Sequence, residues 1–162
     1  MLYTPILATL GYVMSPDRAR VLLVHRTKRG GDQHLGKYNG LGGKVHDDED
    51  IVACMKREVR EEAGIECASM SLRGTISWPG FGKGGEHWFG FIFRIDAFEG
   101  GPLRENDEGP LEWIDVGHIM ELPLWEGDRY FLPRVFAEDL RQFHGVMPYR
   151  DGHPVSWTYS VV

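Results

Sequence analysis

The sequence predicts a single α+β domain over residues 1–162, with a mixed central β-sheet flanked by two helices. Three observations predict it. Short apolar runs bounded by turn residues recur along the chain, and two stretches carry helical marks. The length of 162 residues suits one domain with one sizeable core. The 21 glycines point to many turns over an α+β frame, while 42% hydrophobic and 26% charged residues exclude disordered, collagen-like and coiled-coil chains. There is no internal repeat, low-complexity tract or linker.

The elements follow in order. Residues 6–14 and 20–26 ("RVLLVHR") read as strands joined through the turn residues Ser15, Pro16 and Asp17. Residues 27–37 ("TKRGGDQHLGK") read as a flexible basic loop, and 38–45 ("YNGLGGKV") as a short glycine-rich stretch. Residues 47–64 carry a helix, with acidic residues crowding its first turn and Gly64 in the C-cap position. Strands resume near 70–78, 87–96 and 110–115, with "PGFGKGGE" (79–86) a loop between two of them. A second helix is expected over 128–143, with Asp128 a candidate N-cap and Pro133 an obstacle in its second turn. The tail closes in a hairpin around Asp151-Gly152.

Charge and composition narrow the function. A net charge of −6 leaves no basic field to gather long nucleic acid. An anionic ligand would need a local cation. Two cysteines, Cys54 and Cys67, are too few for a disulfide scaffold and suit a reducing compartment. The N-terminus lacks the basic region of a signal peptide, and no apolar run reaches the roughly 20 residues of a membrane span. A cytoplasmic protein is expected.

The stretch "KREVREEAGI" (56–65) is either a solvated helix face laced with ion pairs or a place where carboxylates are gathered. Helix phase separates the two. At about 100° per residue from Ile51, Met55, Val59, Val52 and Ala63 fall between about 40° and 120°, one apolar stripe. Glu62 falls at about 20°, inside that stripe, with Glu58 at its edge near about 340° and Glu61 near about 280°. Inward carboxylates need a cation beside them, because burying them alone costs several kcal/mol, on the order of ~3–5. Oxygen donors converging from one helix suit a hard divalent ion, Mg²⁺ or Mn²⁺. In the preceding "NGLGGK", Gly40, Gly42 and Gly43 allow either a tight turn or close approach of backbone to a ligand.

Taken together, residues 43–65 resemble the Nudix box, G-x5-E-x7-R-E-U-x-E-E-x-G-U with U a bulky aliphatic. Gly43, Glu49, Arg57, Glu58, Val59, Glu61, Glu62, Gly64 and Ile65 fill every fixed position. The resemblance implies an α/β/α sandwich and metal-dependent hydrolysis of a nucleoside diphosphate linked to another moiety. It implies Glu58, Glu61 and Glu62 as metal ligands with the Gly43 carbonyl beside them, and Arg57 with Glu49 as the pair that holds loop to helix. In such chemistry a glutamate takes the proton of the attacking water. Glu61 and Glu62 are the candidates within the box, and Glu108 in "ENDEGPLEW" is the candidate outside it, against a plain turn carboxylate.

More of the chain is similar to the MutT-type branch that hydrolyses oxidised purine nucleoside triphosphates such as 8-oxo-dGTP to the monophosphate and pyrophosphate. "KYNGLGGKV" resembles that branch's base-contacting strand, with Asn39 as the contact. "ELPLWEGDRYFLP" resembles its base-pocket segment, which implies Trp125 stacking on the purine and Asp128 bonding its edge. The branch often has two adjacent aspartates here, whereas this chain has Glu126-Gly127-Asp128. Trp125 as a core aromatic and Asp128 as a helix cap are the competing assignments. Trp78, Phe81, Trp88 and Phe89 are either pocket or core. Arg26, Lys28, Arg29 and Lys37 are candidates to meet the triphosphate, or members of a solvated loop. The expected partner is a small nucleotide, with a monomer or homodimer as the assembly. Dinucleoside polyphosphates, nucleotide sugars and RNA 5′ ends remain alternative substrates, and a non-catalytic nucleotide-binding module is the alternative from another class.

Overall fold

The computed structural model describes residues 1–28 and 35–162. Most of the basic loop expected over 27–37, Arg29 with it, lies outside the described residues. The strands are β1 (Ile6–Met14), β2 (Arg20–His25), β3 (Tyr38–Asn39), β4 (Leu41–Lys44), β5 (Glu66–Trp78), β6 (Trp88–Glu99), β7 (Leu111–Asp115), β8 (Phe143–Val146), β9 (Tyr149–Arg150), β10 (His153–Pro154) and β11 (Thr158–Val161). The helices are α1 (Ile51–Ala63) and α2 (Asp128–Phe136), with a 3-10 turn at Val116–Glu121.

One mixed sheet runs in the order β11-β8-β5-β6-β1-β2-β3, with β4 paired to β1 and β7 to β2. β1–β6 and β5–β8 are parallel, and the other pairs are antiparallel. β1 is the hub. On one side it pairs with β6 from Ile6 to Val13. On the other side its edge is divided. Ala8 to Gly11 pair with Lys44 to Leu41 of β4, and Val13 and Met14 pair with Leu22 and Val21 of β2. The sheet forks there, which leaves the glycines of β4 beside the middle of β1.

Strand alternation builds a core on each face. Tyr12, Met14, Val21 and Leu23 pack with Phe131, Leu132 and Val135 of α2. Their neighbours Val13, Leu22 and Val24 pack with Met55, Val59 and Ala63 of α1. The two helices therefore cover opposite faces, the sandwich expected of the resemblance.

Several boundaries differ from the sequence reading. α1 starts at Ile51, because Asp50 caps it through bonds from the Val52 and Ala53 amides at 2.9 and 2.8 Å. The acidic cluster precedes the helix instead of filling its first turn, and Val52 is exposed in that turn. Gly64 is the left-handed C-cap, φ 70°, as expected. β5 begins at Glu66, four residues before the predicted start. α2 ends at Phe136, well short of 143. Its capping residue is Gly127, and Asp128 is the first helical residue. The early end has a physical cause. The buried guanidinium of Arg94 takes the carbonyls of Val135 and Ala137 at 3.2 and 3.1 Å, and that of Arg73 takes the carbonyls of Arg134 and Asp139. Carbonyls so satisfied have no need of a further helical turn. The Asp151-Gly152 hairpin is present, with φ of 53° and 79°. Among the described residues no helix is long and apolar enough to cross a membrane.

Candidate active site

The cradle is built from β4, the middle and last turns of α1 and the loop after β6. Asp50 fixes the first turn of α1, and the turn before it brings Glu49 back against the helix. Arg57 then clamps the two segments together. It donates to Glu49 through Nε and Nη2 at 2.9 and 2.7 Å, to Glu58 through Nη1 at 2.9 Å, and to the Lys44 carbonyl at 3.2 Å. Glu61 is a more distant acceptor at 3.3 Å. The Arg57 hydrogen bonds, with one from the His46 amide, pull the Glu49 carboxyl down to a pKa of about 2. The guanidinium itself is held firmly protonated by Glu49.

Glu58 lies against Gly43, where any side chain would overlap its carboxylate. Gly42 is packed just as closely on the Thr9 carbonyl. Glu62 faces inward, as its phase requires. Its carboxyl lies near that of Glu58 and near the Gly42 amide. Burial, then the charges of Glu108 and Glu58, raise its pKa to about 9. Glu108 comes from the loop between β6 and β7, where it pairs with Arg26 at 3.1 Å. Asn106 shapes that loop. Its side-chain oxygen accepts from the amides of Glu108 and Gly109 at 2.9 and 3.3 Å, and its amide donates to the Glu62 carbonyl at 3.1 Å.

The structure thus brings Glu58, Glu62, Glu108, Gly43 and Arg57 to one place. Glu61 stands at the rim, with 58% of its side chain exposed. Among the described residues no three carboxylate, imidazole or thiol groups form a closed metal cage. The donor set still fits a hard cation. Glu62, Glu58 and Glu108 crowd their charges together in a partly buried space, and such carboxylates stay ionised together only with positive charge among them. The side-chain-free surface of Gly43 leaves its backbone open to that space.

A cavity of about 520 Å³ opens from Gly42 and Gly43 and ends among Asn39, Trp78, Phe81, Trp88, Trp125, Asp128 and Tyr149. The Asn39 side-chain nitrogen is buried and has no hydrogen-bond partner among the described residues. The Trp125 ring lies 5.7 Å from that of Phe81, with the Lys37 ammonium 6.0 Å over it. Burial raises the Asp128 carboxyl to about 7, against the pull of Arg129 and Lys37. Glu126, which precedes it by two, turns away to His153 at 2.7 Å, so one carboxylate serves the pocket from this segment. Trp78, Phe81 and Trp88 do line the cavity, whereas Phe89 is not among its lining residues. Arg26 lines it, and Lys28 pairs with Glu105 at 3.0 Å instead.

Sequence reasoning passed over Asn106, Tyr149, Lys44 and Lys83. The Asx turn at Asn106 was legible in "ENDEG" as a turn signal. Tyr149 and Lys44 reach the cavity through strand pairings, and Lys83 through the loop between β5 and β6, none of which a local pattern marks.

Comparison with known proteins agrees with this geometry. A family model described as the NUDIX domain matches residues 5–135. The oxidized purine nucleoside triphosphate hydrolase of Danio rerio is 33% identical over 154 residues, 95% of this chain and 92% of that protein. The NAD-capped RNA hydrolase NudC of Pseudomonas aeruginosa is 43% identical over 89 residues, which are 54% of this chain and 30% of that protein. The crystal structure of the MutT protein from Bacillus halodurans superposes with a TM-score of 0.82 at 30% identity, covering 96% of this chain and 97% of that one. With every fixed position of the box filled, the fold shared end to end and the family model spanning most of its length, this chain belongs to the Nudix hydrolase family.

Proposed function

We propose that this Nudix hydrolase cleaves a nucleoside triphosphate to the monophosphate and pyrophosphate, with an oxidised purine as its preferred base and a divalent cation, Mg²⁺ or Mn²⁺, as cofactor. The observation that carries the reading is one cavity whose two ends differ. One end is walled by Gly42 and Gly43, with the Glu58 carboxylate packed against Gly43, and the other is an aromatic pocket that holds Asn39 and Asp128. The cation would be held by Glu58 and Glu62 with the Gly43 carbonyl, and by Glu61 at the rim. Bound there, it would supply charge neutralisation of phosphate oxygens and a lowered pKa for water.

The chain's own groups do the rest. Trp125 offers a face for a base to stack on, and the Asn39 amide and Asp128 carboxyl bond its edge. Arg57 fixes Glu58 through the Nη1 hydrogen bond. The proton acceptor belongs to the set Glu61, Glu62 and Glu108. Removal of pyrophosphate from a damaged nucleotide would clean the nucleotide pool, in keeping with a cytoplasmic location.

The likeness to an NAD-capped RNA hydrolase supports a second reading, cleavage of a capped RNA end, over about half the chain. The test is a product assay with Mg²⁺ on 8-oxo-dGTP, dGTP, dATP, a diadenosine polyphosphate, ADP-ribose and NAD-capped RNA. Fastest release of monophosphate and pyrophosphate from 8-oxo-dGTP, lost in Glu62→Gln, supports the proposal. Faster cleavage of another compound keeps the chemistry and refutes the base assignment. No cleavage with either metal leaves a nucleotide-binding module.

A further inference from the structure

The cavity wall carries the carboxylates of Glu86 and Asp128 and the cations Arg26, Lys44 and Lys83, and most of the cations at or beside the site are already engaged. Arg57 is occupied by Glu49 and Glu58, and Arg26 by Glu108. The Lys44 ammonium sits 5.5 Å over the Trp88 ring. Lys83 also lines the cavity, and its ammonium makes no ion pair or hydrogen bond among the described residues.

The loop that carries Lys83 has a built shape. Gly80 and Gly85 take φ of 76° and 82°, which residues with side chains adopt at a cost. Gly82 donates to the Glu86 carbonyl at 3.0 Å, Gly85 to the Gly82 carbonyl at 2.9 Å, and Gly84 to the Glu86 carboxylate at 2.9 Å. Two residues before Lys83, the Phe81 ring is wedged against Tyr149 at 4.9 Å, Trp125 at 5.7 Å and Trp78 at 6.0 Å. The loop is therefore anchored in the aromatic pocket and turned on its own carboxylate. Lys83 stands on the turn between them, at the cavity mouth.

We propose that Lys83 is a substrate-positioning residue that grips the phosphate chain of a nucleotide held between the aromatic pocket and the carboxylate cradle. This rests on the nucleotide-hydrolase reading above. A compact ammonium on a flexible stem suits a phosphate chain, which offers oxygens in several directions. Because the loop's anchor ring touches Trp125, base and phosphates would be held by one connected wall.

The test uses the full chain, with Lys83→Ala, Lys83→Met and Lys83→Arg compared with wild type. The substrates are 8-oxo-dGTP and dGTP with Mg²⁺, and the binding probes are an α,β-methylene nucleoside triphosphate and the matching nucleoside. The expected result is a rise in KM and in the triphosphate Kd of about tenfold for Ala and Met, the loss of one charge-assisted bond. Arg should restore most of it, with kcat and the nucleoside Kd little changed. The binding penalty should shrink as salt is raised. A wild type that cleaves or binds triphosphate with Lys83→Ala its equal overturns the role of Lys83 and leaves the enzyme reading standing. An equal loss of nucleoside affinity makes Lys83 a prop for the base pocket and overturns the proposal. A wild type that neither binds nor cleaves any nucleotide removes both readings.

Discussion

Asn106 donates its side-chain amide to the backbone carbonyl of Glu62, 3.1 Å away, and with its oxygen holds the amide of Glu108 at 2.9 Å. One side chain thus sets the separation of two carboxylates carried by different elements. Asn106→Ala should lower kcat about tenfold to a hundredfold, because small misplacements of reacting groups are costly. Asn106→Asp keeps the acceptor and loses the donor, so its activity should fall in between. Steady-state kinetics at fixed Mg²⁺ would show it. An Ala variant as active as wild type would mean that Glu108 is placed by Arg26 alone.

Gly42 and Gly43 are neighbours whose substitutions should fail in different ways. A methyl at Gly42 meets the backbone carbonyl of Thr9, which the β1–β4 ladder holds in place. Gly42→Ala should destabilise the fold by about 2–3 kcal/mol, seen in denaturant melts. A methyl at Gly43 meets the Glu58 carboxylate, a side-chain end that can swing aside. Gly43→Ala should stay folded and lose at least about tenfold in kcat. Equal stability of the two variants would contradict this division.

Asp128 predicts a pH signature. Its folded pKa of about 7 lies above the ordinary 3.8, because burial disfavours the anion. The folded chain keeps a proton there that the unfolded chain releases near pH 4. Stability tied to this group is therefore full below that value and lost as pH rises towards 7. Asp128→Asn removes the titration. Thermal melts should show the variant level with wild type at pH 4 and several degrees above it at pH 8, on the order of ~5 °C. A gap that does not grow with pH would show that the carboxyl is well solvated. Activity should fall in the same variant, since Asn cannot offer the carboxyl's bonding to a base.

Cation binding to the cradle should show in stability as well as in turnover. At pH 8 Glu62, raised to about 9, still holds its proton, and a cation bound beside Glu58 and Glu62 would take that proton's place, so added Mg²⁺ should raise the melting temperature in proportion to its saturation. EDTA should abolish cleavage, and Mg²⁺ or Mn²⁺ should restore it. Glu58→Gln with Glu62→Gln should be the more stable protein without Mg²⁺ and should not respond to it. A double variant that still shifts with Mg²⁺ would place the cation elsewhere.

The cradle was legible because it is local. Residues 43–65 form one strand end, one turn and one helix, so spacing and helix phase carried most of its geometry. The inward aim of Glu62 follows from phase alone. What escaped the sequence depends on partners distant in the chain. Arg94 and Arg73 stop α2 from sites some 40 and 60 residues upstream. Asp128 looked like a cap because it begins a helix, yet its carboxyl is buried by β9 and the core around Tyr12. Tyr149 reaches the cavity only because β8 pairs in parallel with β5 and carries the hairpin back.

The divided edge of β1 has a wider consequence. This strand is a common ruler for three others, and it also supplies Ile6, Ala8, Thr9 and Leu10 to the cavity wall. Adding or removing one residue between Ile6 and Met14 would invert its faces. That single change would shift Gly43 off Glu58, strip the cavity of its lining and exchange the two cores at once. An added residue would disturb far less at a place such as the Asp151-Gly152 turn, across which only the short strands β9 and β10 pair.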